Sequence, residues 1–391
     1  MNVEPGAMGA RLRAARTRLG LSQRALCAAA DVSQSTIHRL ETGVQTKATL
    51  ADLDRLAIAL GVTLEFLLYG VSVREEVRAA ARCANGADVD QALEYGIALL
   101  ELDDALDGIG SELRQERVHR LVTPMGSGTP KQAEDLAGQV RQVLGLSVAP
   151  ISELDEVIEE LTGVDVGAAP LPDGVSGVVL EHQRRDTALL IVNSDEVAHR
   201  QRFTMAHELG HLLFGDPAHV HTLTSFRSPA ENRCDEFART LLIPREGVRA
   251  WAERVYGPVK RPLIDTRHVA LLARHFGVSP EVAAIQLDRM RLRRHRALPS
   301  GRTLAHRHGW GAQYDTEQAA ARQPRPPRRL LDRAIEAYQS GNLGIGAIAR
   351  LQCRSVAEVE RELTEAGITA QPAVRRADMA TLLARAATPP S

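Results

Sequence analysis

The chain has 391 residues, of which 44% are apolar and 25% charged, and its formal net charge is −1. This length allows two or three domains with cores of their own, and the composition excludes a largely disordered chain. Four cysteines lie far apart without metal-binding spacing, and no apolar run could cross a bilayer, so we expect a cytoplasmic protein with reduced thiols.

The first 70 residues predict an all-α domain of short helices. Ser22 and Ser33 are each placed to cap a helix, and the tight turn between those helices falls at residues 31–32. Two short helices joined in this way form the helix-turn-helix unit. Residues 1–70 carry eight basic side chains against six acidic ones, so their attraction to DNA phosphates would be weak.

The run LSQRALCAAADVSQSTIHRLETG resembles the Cro/repressor-like (XRE) DNA-binding family, with Asp31 in place of the usual turn glycine. The resemblance implies that residues 1–70 bind a double-stranded DNA operator. The second helix of the unit would then meet base edges in the major groove, while the first crosses the backbone. The expected contacts are Gln34, Ser35 and Thr36 to bases, Arg39 to a base or phosphate, and Gln23 to a phosphate or base. A domain that keeps this fold for protein contacts alone is the alternative.

Residues 71–122 predict a helical connector, which is followed by a turn-rich linker at 123–130. The connector has an imperfect apolar stripe made of Leu93, Ile97, Leu100, Leu106, Ile109 and Leu113. We interpret it as a helical hairpin that pairs two subunits into a homodimer, since repressors of this type usually bind two half-sites. A helix packed against its own chain fits the pattern equally well.

Residues 131–290 predict a mixed α+β domain. Two helices at its start are followed by strand-like runs at 174–183 and 187–195, and then by further helices. A few strands beside a metal-binding helix suit a zincin-like fold, in which a substrate segment adds to the edge of the sheet. We expect the run Thr187–Asn193 to be the edge strand.

The run RFTMAHELGHLLF carries the HExxH pattern on a predicted helix. His207 and His211 lie four residues apart and project from one face, where both imidazoles can bind one metal ion. Glu208 points about a quarter-turn away, but its carboxylate can reach a water at the metal and act as the catalytic general base. This pattern predicts the metal-binding helix of a peptidase.

A second helix supplies the missing ligand, because catalytic zinc usually takes three protein ligands. In the run ENRCDEFARTLLIP, Glu231 and Asp235 lie four residues apart and share one helix face. We assign Glu231 as the third ligand. Asp235 is placed to accept the free N–H of a ligating histidine, a contact that fixes the orientation of the ring. Both residues would otherwise form the solvated edge of an amphipathic helix.

These motifs resemble the ImmA/IrrE family of zinc metallopeptidases, in which HExxH is followed by ExxxD. The resemblance includes both strand-like runs and the FARTLLIP helix end, and it covers roughly residues 132–290. It implies a Zn²⁺-dependent endopeptidase, with Mn²⁺ as an alternative ion, that cuts a DNA-binding repressor and relieves repression.

Peptide hydrolysis also needs a donor that stabilises the oxyanion. His219 and His221, in the loop between the two metal-site helices, could supply this donor. Tyr256 and Arg267 are weaker candidates. Histidines in loops are more often solvated surface residues, which is the alternative here.

The rest of the chain predicts helices around a basic segment. The run HFGVSPEVAAIQL resembles a second helix-turn-helix-like pair, for which we expect a structural or substrate-positioning role. Residues 289–333 hold twelve arginines against three acidic residues and are interrupted by prolines. We interpret 291–329 as a basic linker that either grips phosphate or is simply solvated. A helical module is expected at 330–391.

Together these features predict a multidomain, mainly α protein: an all-α helix-turn-helix domain, an α+β zincin-like metallopeptidase domain and a helical C-terminal module. The favoured function is a DNA-binding transcriptional regulator whose zinc-dependent endopeptidase domain cleaves a repressor-type protein, or the chain itself, in a stress or mobile-element response. The competing hypothesis is a ligand-sensing transcription factor whose metallopeptidase-like domain is non-catalytic.

Overall fold

The computed structural model describes residues 5–44, 48–60, 62, 64–69, 90–108, 129–182, 187–216, 220–222, 228–257, 264–293 and 297–370. The described chain is mainly helical with one small sheet, which confirms the predicted fold class. It divides into two compact units, one of residues 1–73, 98–114 and 329–391 and the other of residues 74–97 and 115–328. Among the described helices, none combines the length and the apolar character needed to span a bilayer.

The first unit begins with five short helices, α1 (Pro5–Arg18), α2 (Gln23–Ala30), α3 (Gln34–Glu41), α4 (Leu50–Leu60) and α5 (Leu64–Tyr69). Their common core contains the fully buried side chains of Leu12, Leu26, Ile37 and Leu56. Asp31 joins α2 to α3 in the left-handed conformation, with φ 49°, which aspartate tolerates better than most residues. These helices therefore form a helix-turn-helix domain.

The connector contains one described helix, α6 (Asp90–Gly108). Its residues Ile97, Leu100 and Leu106 are buried, as the apolar stripe predicted. The side chain of Leu93, together with Ile109 and Leu113, lies outside the described part of the chain. Both the helical hairpin and its role in dimerisation stay predictions.

From residue 130 onwards the second unit contains nine described helices and strands, followed by four more helices. The nine are α7 (Pro130–Val143), α8 (Leu154–Thr162), β1 (Asp165–Ala169), β2 (Val175–His182), β3 (Thr187–Asn193), α9 (Ala198–Phe214), β4 (Val220–Thr222), α10 (Pro229–Leu242) and α11 (Arg245–Tyr256). After α12 (Thr266–Phe276) and α13 (Pro280–Arg289), the unit ends with α14 (Gly301–Arg307) and α15 (Gly311–Ala321). Its core lies between the sheet and the helices and includes Leu190, Leu209 and Phe237.

The four described strands form one sheet in the order β1-β3-β2-β4. β3 pairs parallel with β1 and antiparallel with β2, while β4 pairs antiparallel with β2. The expectation that Thr187–Asn193 is an edge strand is therefore wrong, because two further strands flank the predicted pair. The five residues of β1 and the three of β4 are too short to show a period, and their pairing depends on distant parts of the chain.

The basic stretch differs from the linker that its composition suggested, because it contains α14 and α15. Ser300 caps α14, whose Leu304 and Ala305 are buried. Beyond α15, Arg325 exchanges two backbone hydrogen bonds with Ala168 at 2.7 and 2.8 Å. This segment thus covers the outer edge of β1, which is a common way to protect an exposed strand.

The C-terminal helices α16 (Arg328–Gln339), α17 (Ile345–Leu351) and α18 (Val356–Glu365) follow. Arg333 forms ion pairs with Asp103 and Asp107 of α6. Arg350 donates to the backbone carbonyl of Leu60, at the end of α4, at 2.7 Å. The predicted C-terminal module therefore belongs to the same compact unit as the helix-turn-helix.

Candidate metal centre

Two histidines share one face of α9, because they are one helical turn apart. His207 and His211 are both buried, and their Nε2 atoms lie 3.0 Å apart. The helix ends at Gly215, which adopts the left-handed conformation with φ 70°. The chain then folds back, so that the backbone N–H of Asp216 donates to the carbonyl of His211 at 3.0 Å. This turn places Asp216 beside the last turn of α9.

A third side chain comes from the first turn of α10. Ser228 caps this helix by accepting a hydrogen bond from the backbone N–H of Glu231, and Pro229 occupies a first-turn position. Glu231 Oε2 lies 3.1 Å from His207 Nε2, and Glu231 Oε1 lies 3.5 Å from His211 Nε2. The structure thus brings together the three side chains that the sequence singled out as metal ligands.

Two carboxylates face the opposite nitrogens of the imidazole rings. Asp235 Oδ1 lies 3.0 Å from His207 Nδ1, the contact expected from its position one turn after Glu231. Asp216 Oδ2 lies 2.7 Å from His211 Nδ1, and the other oxygen of Asp216 pairs with Arg233. Sequence analysis did not identify Asp216. The available signal was an acidic residue directly after the glycine that ends the HExxH helix.

The charges of the site are strongly coupled. Burial acts to lower the pKa of His207, but hydrogen bonds with Asp235 and Glu231 outweigh it and raise the pKa to about 9. Burial acts to raise the pKa of Glu231, whereas its contacts with both histidines hold that pKa well below its ordinary range. For Asp216, too, burial is outweighed by the contacts with His211 and Arg233, which lower its pKa. Glu231 and Asp216 are therefore ionised at neutral pH.

The arrangement fits a tetrahedral metal ion. Ligand atoms about 2.05 Å from zinc lie about 3.3 Å from one another, and the three separations here are 3.0, 3.1 and 3.5 Å. Each histidine faces a carboxylate through Nδ1, so each Nδ1 carries a proton and leaves a lone pair on Nε2. Two lone pairs and a carboxylate oxygen then converge on one point. Such a set of acceptors requires a cation, either a proton or a metal ion.

Glu208 lies next to His207 and is fully buried. Strand β2 comes close to α9 here, because it has a glycine at position 177. A Cβ atom on Gly177 would lie 2.9 Å from Cγ2 of Thr204 and 3.9 Å from Cγ of Glu208. The missing side chain therefore allows the sheet to pack directly over the HExxH helix at Glu208.

Of the candidate oxyanion donors, some lie in the described part of the chain and others do not. His219 lies outside the described residues, and of His221 only the backbone, in β4, is described. The register of the sheet pairs His221 with Gly177. Tyr256 lies at the end of α11 against the ring of His268, 4.8 Å between centroids, and Arg267 is exposed in the first turn of α12.

The predicted DNA contacts lie on α2 and α3. Gln34, Ser35 and Arg39 are exposed on α3, whereas Ile37 and Leu40 bury its other face. Thr36 is half-buried, and its hydroxyl contacts the capping Ser33 at 2.8 Å. The amide of Gln23, which the sequence predicts to contact a phosphate or base, donates to Glu41 Oε2 at 2.8 Å. Glu41 also pairs with Arg16.

Comparisons with known proteins agree with both parts of this description. Residues 159–288 match a peptidase family model described as an IrrE N-terminal-like domain, and residues 7–66 match a model described as a helix-turn-helix domain. No curated protein matches the chain. The two resemblances inferred from the sequence are confirmed. The chain combines a helix-turn-helix domain with a metallopeptidase-type domain, as expected for a DNA-binding regulator that carries a peptidase-family domain.

Proposed function

We propose that this protein is a transcriptional regulator whose IrrE-like domain is a zinc-dependent endopeptidase, with Mn²⁺ as an alternative ion. His207, His211 and Glu231 hold the ion, while Asp235 and Asp216 orient the two imidazoles. The observation that carries this proposal is the convergence of two Nε2 atoms and one carboxylate on a single point, with both Nδ1 atoms held by carboxylates.

The reaction follows from the position of Glu208 beside the ligands. A bound zinc ion would lower the pKa of a water to about 7 and polarise the scissile carbonyl. Glu208 accepts a proton from the attacking water and later delivers it to the leaving amine. Its full burial keeps bulk water from competing for that proton. Asp235 and Asp216 keep the Nδ1 protons of the two rings in place throughout.

The sheet offers an edge for the substrate at β4. The opposite edge, β1, is covered by Arg325, whereas β4 is the last of the described strands and its neighbour β2 packs on α9 at Gly177. An extended peptide that pairs with β4 would run past Glu208. Either His221, whose backbone in β4 pairs with Gly177, or His219 would then serve as the oxyanion donor.

The substrate we propose is a repressor-type protein in the cytoplasm, or this chain itself. The operator would be bound by α3 through Gln34, Ser35, Thr36 and Arg39, with Gln23 supporting the contact from α2. Cleavage of the repressor would then relieve repression of its target gene in a stress or mobile-element response. Because the DNA-binding domain and the peptidase domain belong to one chain, self-cleavage would directly end DNA binding by that chain. Dimerisation through α6 would match two operator half-sites.

The test compares the purified full-length chain with its Glu208→Gln variant. We expect both proteins to retain about one zinc ion by elemental analysis, because Glu208 is not a ligand. Only the wild type should cut itself or repressors encoded near its gene, as followed by mass spectrometry of the products. If the wild type binds zinc but cleaves neither itself nor those repressors, the ligand-sensing, non-catalytic alternative would replace this proposal. Absence of stoichiometric metal would remove the metal site itself.

A further inference from the structure

A cavity lies within the second unit, at the start of α9 rather than at the metal centre. Its volume is about 680 Å³, which is within the range of small-molecule pockets. The walls come from the segment 150–153 before α8, the first turn of α9, the end of α12 and the turn that follows it, and helices α14 and α15. His199 in this wall precedes His207 by eight residues, or about 12 Å along the helix. The cavity is therefore separate from the metal ligands.

The cationic side chains of the wall are already engaged in holding it together. Arg202 donates to three backbone carbonyls, those of Ile151, Ser152 and Gly277, at 2.6, 2.8 and 3.1 Å. Arg274 donates to Gln313 and lies over the ring of Trp310, 5.3 Å from its centroid. Their guanidinium groups shape the cavity, and an anionic ligand would have to compete for them.

Uncharged polar groups remain available to a ligand. Burial lowers the pKa of His199, so its ring is neutral at pH 7 and offers one donor and one acceptor. Within the described residues, neither this ring nor the hydroxyl of Tyr314 makes a hydrogen bond to the protein. Gln318 uses its oxygen to accept the backbone N–H of Ala198 at 2.8 Å, so its amide N–H groups can also face a ligand.

Gly301 keeps the space between these groups open. A Cβ atom at this position would lie 3.5 Å from the hydroxyl oxygen of Tyr314 and 3.7 Å from Cε1 of His199. The remaining wall includes the apolar Ala198, Ala273 and Leu304 and two carboxylates, those of Glu153 and Glu317. Glu317 accepts a hydrogen bond from the amide of Gln313 at 2.7 Å. Apolar walls with a few convergent hydrogen-bonding groups are the usual construction of a ligand pocket.

We propose that this cavity binds an uncharged small molecule with an apolar body and one amide-like group, which His199, Tyr314 and Gln318 recognise as both donor and acceptor. The charges of the two arginines and the two glutamates in the wall balance, so a ligand of either sign would bring an uncompensated charge into the cavity. The neutral amide satisfies the wall without leaving a buried charge unpaired.

The cavity is also placed to influence α9, although this part of the inference rests on the proposed metal site. Gln318 caps the first N–H of α9, and Gln201 of α9 donates to the carbonyl of Ala321 at 2.9 Å. A ligand that bridges His199 and Tyr314 would strengthen this link between α9 and α15. Ligand binding itself needs neither metal nor cleavage, so the two proposals fail separately.

The experiment measures three matched probes by ¹⁹F NMR on the full-length, metal-free chain: 4-fluorobenzamide, 4-fluorobenzoate and 4-fluorobenzamidine. They share a ring and differ in charge. We expect the neutral amide to bind most tightly, with a dissociation constant of about 1–10 mM for so small a fragment. The two charged probes should bind about fivefold or more weakly. Absence of amide binding, or tighter binding of either charged probe, overturns the proposal.

Substitutions then locate the bound probe. Gly301→Leu should fill the space between His199 and Tyr314 and weaken amide binding about tenfold or more, whereas Gly301→Ala fits at ordinary contact distance and should leave it within about twofold. Tyr314→Phe removes one hydroxyl and should weaken binding about three- to tenfold, which keeps the test decisive if Gly301→Leu does not fold. Unchanged affinity in Tyr314→Phe, or in a folded Gly301→Leu, would place the probe elsewhere and refute the assignment.

Discussion

The two carboxylates that orient the histidines should differ in how much the metal site depends on them. Asp216 uses both oxygens, one for His211 and the other for Arg233. In Asp216→Asn only one oxygen acceptor remains for those two donors, so one contact is lost. Asp235 makes its contact to His207 through Oδ1 alone, and an amide can keep that contact. We therefore expect Asp216→Asn to weaken zinc binding more than Asp235→Asn does.

The size of this difference follows from exposure as well as from the number of contacts. The side chain of Asp216 is 19% exposed and that of Asp235 is 46% exposed, so water screens the charge of Asp235 far more. Loss of a carboxylate that orients a ligating histidine typically lowers metal affinity about 10–100-fold, or about 1.4–2.7 kcal/mol. We expect Asp216→Asn to fall in this range. Asp235→Asn should lose less than about tenfold, because it keeps the hydrogen bond.

Zinc affinity can be measured by competition with a chromophoric chelator. Thermal unfolding in excess EDTA reports separately on the fold, which Asp216→Asn should also weaken, since Arg233 is buried and would lose its carboxylate partner. The metal-free midpoint of Asp235→Asn should stay near that of the wild type. Equal losses of zinc affinity in the two variants, or a larger loss in Asp235→Asn, would refute this reasoning. Zinc affinity would then not depend on the two contacts that Asp216 makes with His211 and Arg233.

Three further predictions follow from the same geometry. Gly177→Ala should destabilise the protein by about 1–3 kcal/mol in urea unfolding, because the new methyl group would meet Thr204. Gly138→Ala in α7 has open space at the same atom and should be neutral or stabilising by up to about 1 kcal/mol; equal effects would contradict the close approach of β2 to α9. The double variant Gln34→Ala, Arg39→Ala should bind operator fragments, selected from random DNA, more weakly by about 1–3 kcal/mol per lost base contact. Gel retardation measures this loss, and unchanged retardation would rule out α3 as the recognition helix. The pKa of His207 is raised to about 9, so zinc must displace a proton below that pH. Zinc affinity should fall about tenfold per unit as pH drops from 9 to 7, and a flat profile would show that His207 does not ligate.

The ligand set was predictable because it depends on spacing within single helices. Four residues along a helix place His207 beside His211 and Glu231 beside Asp235, whatever surrounds them. Asp216 was not predicted, since its position results from the left-handed turn at Gly215 rather than from a helical period. Local periodicity therefore predicted the side chains that we propose as ligands, but only one of the two carboxylates that face their Nδ1 atoms.

The sheet shows the limit of the same approach. The run that became β3 has the strand character expected of it, yet its place between β1 and β2 depends on partners that are too short to be recognised. Likewise, the many arginines of 291–329 suggested a linker, although the segment contains the buried Leu304 and Ala305 of α14. The segment at Arg325 then pairs with β1. Long-range pairing, rather than composition, decides which strands lie at the edges of the described sheet.

The turn that joins α2 to α3 in the helix-turn-helix recurs twice later in the chain. In each case a residue with positive φ is followed, two positions on, by a serine that caps the next helix: Asp31 and Ser33, Gly277 and Ser279, Cys353 and Ser355. The helices that follow differ in charge. The exposed face of α3 offers amide, hydroxyl and guanidinium groups, α13 has Glu281 in its first turn, and α18 carries four glutamates against one arginine. Because phosphates repel an acidic helix, this shared backbone turn does not make α18 a DNA reader. We therefore expect this geometry to serve DNA binding only where the exposed side chains of the following helix permit it, which favours α3 over the other two.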